Sequence, residues 1–319
     1  MSNKDHLYIF VHLHKTGGTT LNRHIIRNYK KEEILILSFD KLGIGPFNNK
    51  VPEIVKAAKN YVSRMPKAQK AKIKVIIGHF VPYGVHKYFD KTPRYITIIR
   101  DPIKRAFSLY NYFRTQHSNE YKKKKGSENH KRFLLVDGKV PTFKVWFQKK
   151  YRKQAKNLLS RPVYDYYLNL GYIRDTRSIK ACTKELLEKF YFVGITERLN
   201  EGLFYLYGLL GINKFFIDQN ISKKFVKSVG GDTLKMLKKK YPFDFVLYKA
   251  AIEANKGSKL KNPEYYDILN QVRIRRRILL PFTQVIFDFK ESMHRLSAYV
   301  RTKSVLYSRF MDYIKGKNK

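Results

Sequence analysis

Cysteine is nearly absent from this chain. Cys182 is the only one in 319 residues, so no intrachain disulfide can form, and no Cys/His cluster has the spacing of a zinc site. Acidic residues are scarce as well: Asp and Glu number 25 against 66 Lys and Arg, a formal net charge of +41. A surface so positive collects polyanions such as nucleic acid, acidic lipid headgroups, acidic polysaccharide or nucleotide. Part of the excess is compositional, because Lys, Asn, Ile and Tyr are used heavily throughout. No segment reaches the roughly 18–20 apolar residues of a membrane span, and the opening MSNKDHLYIF has no secretory apolar region. These absences predict a cytoplasmic protein.

What is present is enough for a core. Apolar residues make up 43% and aromatic residues 15% of the chain, which excludes wholesale disorder and suits one large α/β domain or a domain with an appendage. The stretch from Leu7 to Tyr29 carries the clearest signal. Leu7–Val11 is a continuous apolar run, as in a strand buried on both faces of a parallel sheet. Lys15-Thr16-Gly17-Gly18-Thr19-Thr20 follows, and then Leu21, Ile25 and Ile26 at helical spacing. Strand, glycine loop and helix together aim backbone N–H groups and a helix N-terminus at one point, where a phosphate or sulfate fits. The loop is not a Walker A sequence, because Lys15 precedes the glycines instead of following them. The plainer reading is a tight turn with Thr19 or Thr20 as the N-cap.

Further strands are expected at Ile34–Leu37, Ile73–Ile77, Tyr95–Ile99 and Phe190–Gly194, with helices between them. Helices are expected near 52–64, 103–114, 143–156, 179–189, 199–210 and 234–240. The alternation implies a mainly parallel sheet between helical layers, with ligands beyond the carboxyl ends of the strands. Lys15, His79 and Arg100 each stand just past such an end. Arg100 offers a planar fork of donors to a second phosphate, and Ser108 can bring a hydroxyl back toward it. The alternative is an Arg100–Asp101 surface pair and a helix-capping serine.

Residues 117–139, with Lys122–Lys125, read as a solvated insertion. Beyond about Asn255 the chain changes character. Arg273, Arg275, Arg276 and Arg277 precede Pro281, and Phe282, Val285, Ile286, Phe289, Met293, Leu296 and Val300 then recur at three and four residues. Such a helix can lie on an anionic membrane or pack back on the domain, and packing back is the preferred reading. Residues 1–255 are thus expected to form the main domain and 256–319 a basic helical extension.

HLHKTGGTTL at the front and IIRDPIKRAFSLYNYF some 85 residues later together resemble the two phosphosulfate-binding elements of PAPS-dependent carbohydrate sulfotransferases, PAPS being 3′-phosphoadenosine 5′-phosphosulfate. Heparan sulfate 2-O-sulfotransferases and their bacterial relatives are the nearest in pattern. IIGHFVPYG, NLLSR, FVGITERLNEGL and YPFDFVLY follow in the family's order, and the resemblance covers roughly residues 5 to 255. It implies a P-loop-like three-layer fold, with PAPS as donor and no metal. Its implied roles are Thr16, Gly17, Gly18, Thr19 and Thr20 around the 5′-phosphate, Lys15 at the bridging oxygen, Arg100 and Ser108 at the 3′-phosphate, and His79 as general base. Ser222 and Lys223 would close over the nucleotide, and Arg114 and Arg161 would touch the acceptor. The family usually has glutamine where this chain has Leu159, and the animal members' membrane anchor is absent. The pair His12 and His14 invites a metal reading, but a third ligand is not evident. The rivals are a P-loop kinase or phosphotransferase, which would want its lysine after the glycines, and a basic nucleic-acid-binding protein, for which no recognised motif appears.

Overall fold

The computed structural model describes residues 6–38, 41–43, 51–117, 134–151, 162–174, 178–215, 225–226, 228–261, 265–286, 288–289 and 292–293. Five strands form one parallel sheet: β1 (His6–Val11), β2 (Ile34–Leu37), β3 (Val75–Gly78), β4 (Thr92–Ile99) and β5 (Phe192–Ile195), in the order β2-β3-β1-β4-β5. The central strand β1 pairs Phe10 with Ile77 on one side and with Ile96 on the other. Period-two alternation assigns its side chains to opposite faces. Leu7, Ile9 and Val11 enter one core, Tyr8 and Phe10 the other.

Each face is covered by helices whose apolar residues recur at three or four positions. The Leu7 face takes α2 (Val51–Ser63) through Ile54, Ala58 and Val62. It also takes α6 (Val163–Asn169), α7 (Ile179–Glu188) and α10 (Pro242–Lys261). Cys182 is buried there, in α7. The Tyr8 face takes α1 (Gly18–Asn28) and α8 (Leu199–Leu209). A third cluster joins α4 (Pro102–His117) to α5 (Phe143–Trp146) around the buried Trp146. The remaining helices, α3 (Lys67–Lys72) and α9 (Gly231–Lys240), are short. The expected three-layer α/β architecture is therefore the observed one.

Several local expectations change. The helix expected over 143–156 is α-helical only to Trp146 and widens to a π-turn over Phe147–Tyr151. Three helices escaped the sequence reading: α3, α6 and α10. The last runs unbroken across position 255. A further helix, α11, occupies 265–286, with 288–289 and 292–293 also helical, and already contains the arginine cluster, so Pro281 lies inside it and does not mark its start. Tyr265, Leu269 and Val272 are buried, and α11 approaches α8 so closely that a Cβ on Gly208 would lie 2.1 Å from Ile268 Cγ2. Phe282, Val285, Ile286, Phe289 and Met293, expected to pack back, instead lie 51–69% exposed. Packing selects a different face, centred on Tyr265 and Val272, and the expected stripe is left to one side. Among the described residues no helix is long and apolar enough to cross a membrane.

Candidate active site

The strand order makes a crevice between β1 and β4. The chain leaves β1 toward β2 and leaves β4 toward β5, in opposite directions, which is where open α/β sheets hold ligands. The loop after β1 is wound tightly, with positive φ at Lys15 (67°) and at Gly17 (85°), the N-cap of α1. Alternating left- and right-handed residues make backbone amides converge into an anion-binding concavity. Thr16 is fully buried and its hydroxyl donates to the Leu13 carbonyl at 2.7 Å. The Thr196 hydroxyl, just past β5, lies 2.7 Å from the Thr16 carbonyl and 3.1 Å from the Ile99 carbonyl, tying the loop to two strand ends.

Neither Thr19 nor Thr20 caps α1. Gly17 does, with no side-chain cap bond and no acidic residue in the first turn. The N-terminal partial charge of the helix is left for a ligand to complement. The Thr20 amide is committed to the Gly17 carbonyl at 3.3 Å, whereas among the described residues the amides of Thr16 to Thr19 meet no backbone acceptor. Gly18 has to be glycine for packing reasons. A Cβ there would stand 2.4 Å from His12 Cδ2 and 2.8 Å from Phe10 Cζ.

Lys15 places its Nζ 4.6 Å over the Tyr112 ring. Burial, reinforced by the nearby Arg100 cation, pushes its pKa down to about 8. Arg100 crosses the crevice and donates from Nη1 to the Lys15 carbonyl at 3.2 Å. Its Nε is buried with no partner, an orphaned donor of the kind an anionic ligand satisfies. Asp101 caps α4, accepting from the Ile103 and Lys104 amides at 3.0 and 2.9 Å, and its charge still acts on the Arg100 cation. Ser108 is half-buried inside α4, so it is no cap, and it makes no hydrogen bond to Arg100.

His79 follows β3. Its Nδ1 lies 2.5 Å from the His12 carbonyl oxygen. A carbonyl only accepts, so Nδ1 carries the proton and Nε2 keeps its lone pair. Burial lowers the His79 pKa, with the His12 carbonyl bond opposing it. The ring stacks on His12 at 4.2 Å and meets His14 edge-on at 5.6 Å. Burial holds His12 and His14 well below the ordinary histidine range, and the neighbouring His79 and Lys15 add to this. His12 Nδ1 accepts from Asn22 Nδ2 at 3.1 Å, and the Tyr166 hydroxyl donates to the His79 carbonyl at 2.8 Å. All three imidazoles are therefore neutral near pH 7. Among the described residues no group of three or more His, Cys, Asp and Glu is placed to hold a metal ion.

The structure thus brings Lys15, Thr16, Gly17, Gly18, Thr19, His79 and Arg100 to one crevice. Arg114, farther along α4, has its guanidinium 4.5 Å from the Phe225 ring and 5.9 Å from that of Tyr110. Arg161, Ser222, Lys223, Leu159, Lys122–Lys125, Leu296 and Val300 lie outside the described residues.

Other supporting residues were not singled out from sequence. Arg105 is buried and donates from Nε to the His14 carbonyl at 3.1 Å. Asp244, also buried, accepts from the Val163 and Tyr164 amides, and burial raises its pKa to about 6 against the pull of Arg105. The only signal for them was their presence inside the quoted stretches. Asn22 and Tyr166 gave none, because an asparagine in a helix and an aromatic in a tyrosine-rich chain look ordinary.

A model of the family described as "Sulfotransferase family" matches residues 1–249. No curated protein sequence matches. A solved structure, "Crystal Structure of Sulfotransferase from Alicyclobacillus acidocaldarius", is similar at 12% identity and a TM-score of 0.39, covering 77% of this chain and 95% of that one.

Proposed function

The chain belongs to the sulfotransferase family, and we propose that it moves a sulfuryl group from PAPS to a hydroxyl of a carbohydrate acceptor, with His79 as the base. The observation that carries this reading is the contact of Arg100 with the Lys15 carbonyl. It joins the uncapped amide cradle of α1 to a second cation with an orphaned donor. One element suits a 5′-phosphosulfate and the other a 3′-phosphate, and a donor bearing both fits better than a nucleotide bearing one.

PAPS would supply an activated sulfuryl group on a phosphate oxygen. The amides of Thr16 to Thr19 and the α1 dipole would hold the 5′-phosphate. Lys15 would neutralise charge developing on the bridging oxygen, where a preorganised cation acts more strongly than in water. Arg100 would hold the 3′-phosphate, with Ser108 its candidate helper across the first turns of α4. His79 would take the hydroxyl proton at Nε2, its tautomer and orientation fixed by the His12 carbonyl. The formal charge of +41 supports a polyanionic glycan, since Lys and Arg around the crevice would raise the local concentration of donor and acceptor alike. Arg114 is an acceptor contact in this reading. Arg161, Ser222 and Lys223 keep their sequence-based assignments as part of the proposal.

The test is thermal stability with PAP, the desulfated product, against ADP. A ligand at about one hundred times its Kd stabilises by roughly 2.7 kcal/mol, a Tm shift of several degrees for a chain of this size. PAP should give that shift and ADP little. Equal shifts would indicate a general nucleotide site and favour a kinase, and no shift with either would remove the donor site.

A further inference from the structure

We propose that α11 docks the protein on an anionic membrane surface, independently of the transfer reaction. Two faces of this helix behave differently. Tyr265, Leu269 and Val272 are buried, and Thr283 is tied through its hydroxyl to the Phe215 carbonyl, so the helix is seated on the domain. Beside that face runs a second row: Ile274, Ile278, Phe282, Val285, Phe289 and Met293, at spacings of four, four, three, four and four. That spacing holds one stripe along the described helical residues. Every member is 51–69% exposed, Phe282 at 68% and Val285 at 69%. A contiguous exposed apolar stripe on a soluble domain marks an interaction surface.

Charge selects the occupant. Arg273, Arg275 and Arg277 stand exposed around the start of the stripe. Over residues 265–319 the sequence has twelve Lys and Arg against four Asp and Glu. A second copy would bring the same arginines and another formal +41 against them. Residues 294–319 would bring seven Lys and Arg and a single acid, Asp312, and so make an unsuitable cover for a stripe rimmed by arginine. Nucleic acid would satisfy the cations and leave the six apolar side chains in water. An anionic bilayer interface satisfies both, taking apolar side chains at the acyl boundary and cations at the headgroups.

The experiment is co-sedimentation of the full chain with vesicles of phosphatidylcholine alone and of phosphatidylcholine mixed equally with phosphatidylglycerol. The wild type should partition onto the mixed vesicles and not onto the neutral ones, and release in part at high salt, where the Debye length falls to about 3 Å. The triple variant Phe282→Ser, Val285→Ser, Phe289→Ser should lose at least about tenfold in partitioning, with its Tm unchanged. Failure of the wild type to bind mixed vesicles overturns the proposal. So does wild-type partitioning by the triple variant, since binding would then rest on charge alone. A Tm drop of several degrees in the variant would show that the chain itself or a second copy covers the stripe, and would overturn it equally.

Discussion

The β1/β4 crevice and α11 invert the usual rule of burial in opposite senses. In the crevice, cations and imidazoles are withdrawn from water: Arg105 is 1% exposed, His12 5%, and Arg100 Nε has no partner. Along α11, a row of six large apolar side chains stands in water. Each arrangement costs free energy in the isolated molecule. Buried polar groups are expensive unless paired, and exposed apolar surface forgoes about 25 cal/mol per Å². Under the two proposals each cost would be removed by something from outside, an anion in one case and an apolar boundary in the other. Ligand sites show themselves as local violations of an otherwise consistent fold.

The largest effect is expected at His79. His79→Ala should lower sulfuryl transfer by about 10²- to 10⁴-fold, the usual contribution of a positioned base, while the thermal shift with PAP persists. Loss of that shift as well would make His79 a structural support of the loop. On α11, the two faces should separate in stability. Leu269→Ala, on the seated face, should cost about 2–5 kcal/mol, and Phe282→Ala, on the exposed row, should stay within about 0.5 kcal/mol. Denaturant titration of both reads the difference directly, and equal costs would mean that the row is packed.

Arg100 separates the two anion sites proposed for the crevice. Charge-assisted hydrogen bonds contribute about 1.5–3 kcal/mol, so Arg100→Ala should weaken PAP by roughly 10- to 150-fold and ADP far less. Calorimetric titration with both nucleotides checks this. Equal weakening would reassign Arg100 to the loop, through its bond to the Lys15 carbonyl.

How far each region was legible in sequence differs for physical reasons. The five strands and the placing of Lys15, His79 and Arg100 around one crevice follow from apolar runs with chemistry at their ends, a one-dimensional pattern. The helices α6 and α10 were missed because their buried faces are built from tyrosine, phenylalanine and alanine in polar surroundings, such as Tyr166 and Tyr167 or Phe243 and Ala251. The N-cap was misassigned because threonine propensity lost to the left-handed φ at Gly17. The pair His12 and His14 had no role assigned from sequence once a third metal ligand was not evident, whereas the His12 carbonyl orients His79 and its ring packs over Gly18. Those contacts join residues 67 and 6 positions apart, and only the sheet register brings them together. On α11 the periodicity was legible and its direction was not, because two apolar rows share the helix and the approach at Gly208 decides which one is seated.

The smallest effect is a change of pH profile, and it bears on the same inversion. Burial lowers the pKa of both His79 and Lys15, the latter to about 8, but the two act with opposite signs. A base must be neutral, so kcat/KM should rise with pH through a His79 pKa below the usual 6.5. A cation at a developing negative charge must be protonated, so kcat/KM should fall as pH rises through about 8. Bound donor stabilises the lysine cation and should move the falling limb of kcat to higher pH. Lys15→Arg keeps the charge beyond the accessible range, so its falling limb in kcat/KM should disappear even where its rate is reduced by the altered geometry. A falling limb retained in Lys15→Arg would place that ionisation on another group and take Lys15 out of the transition state.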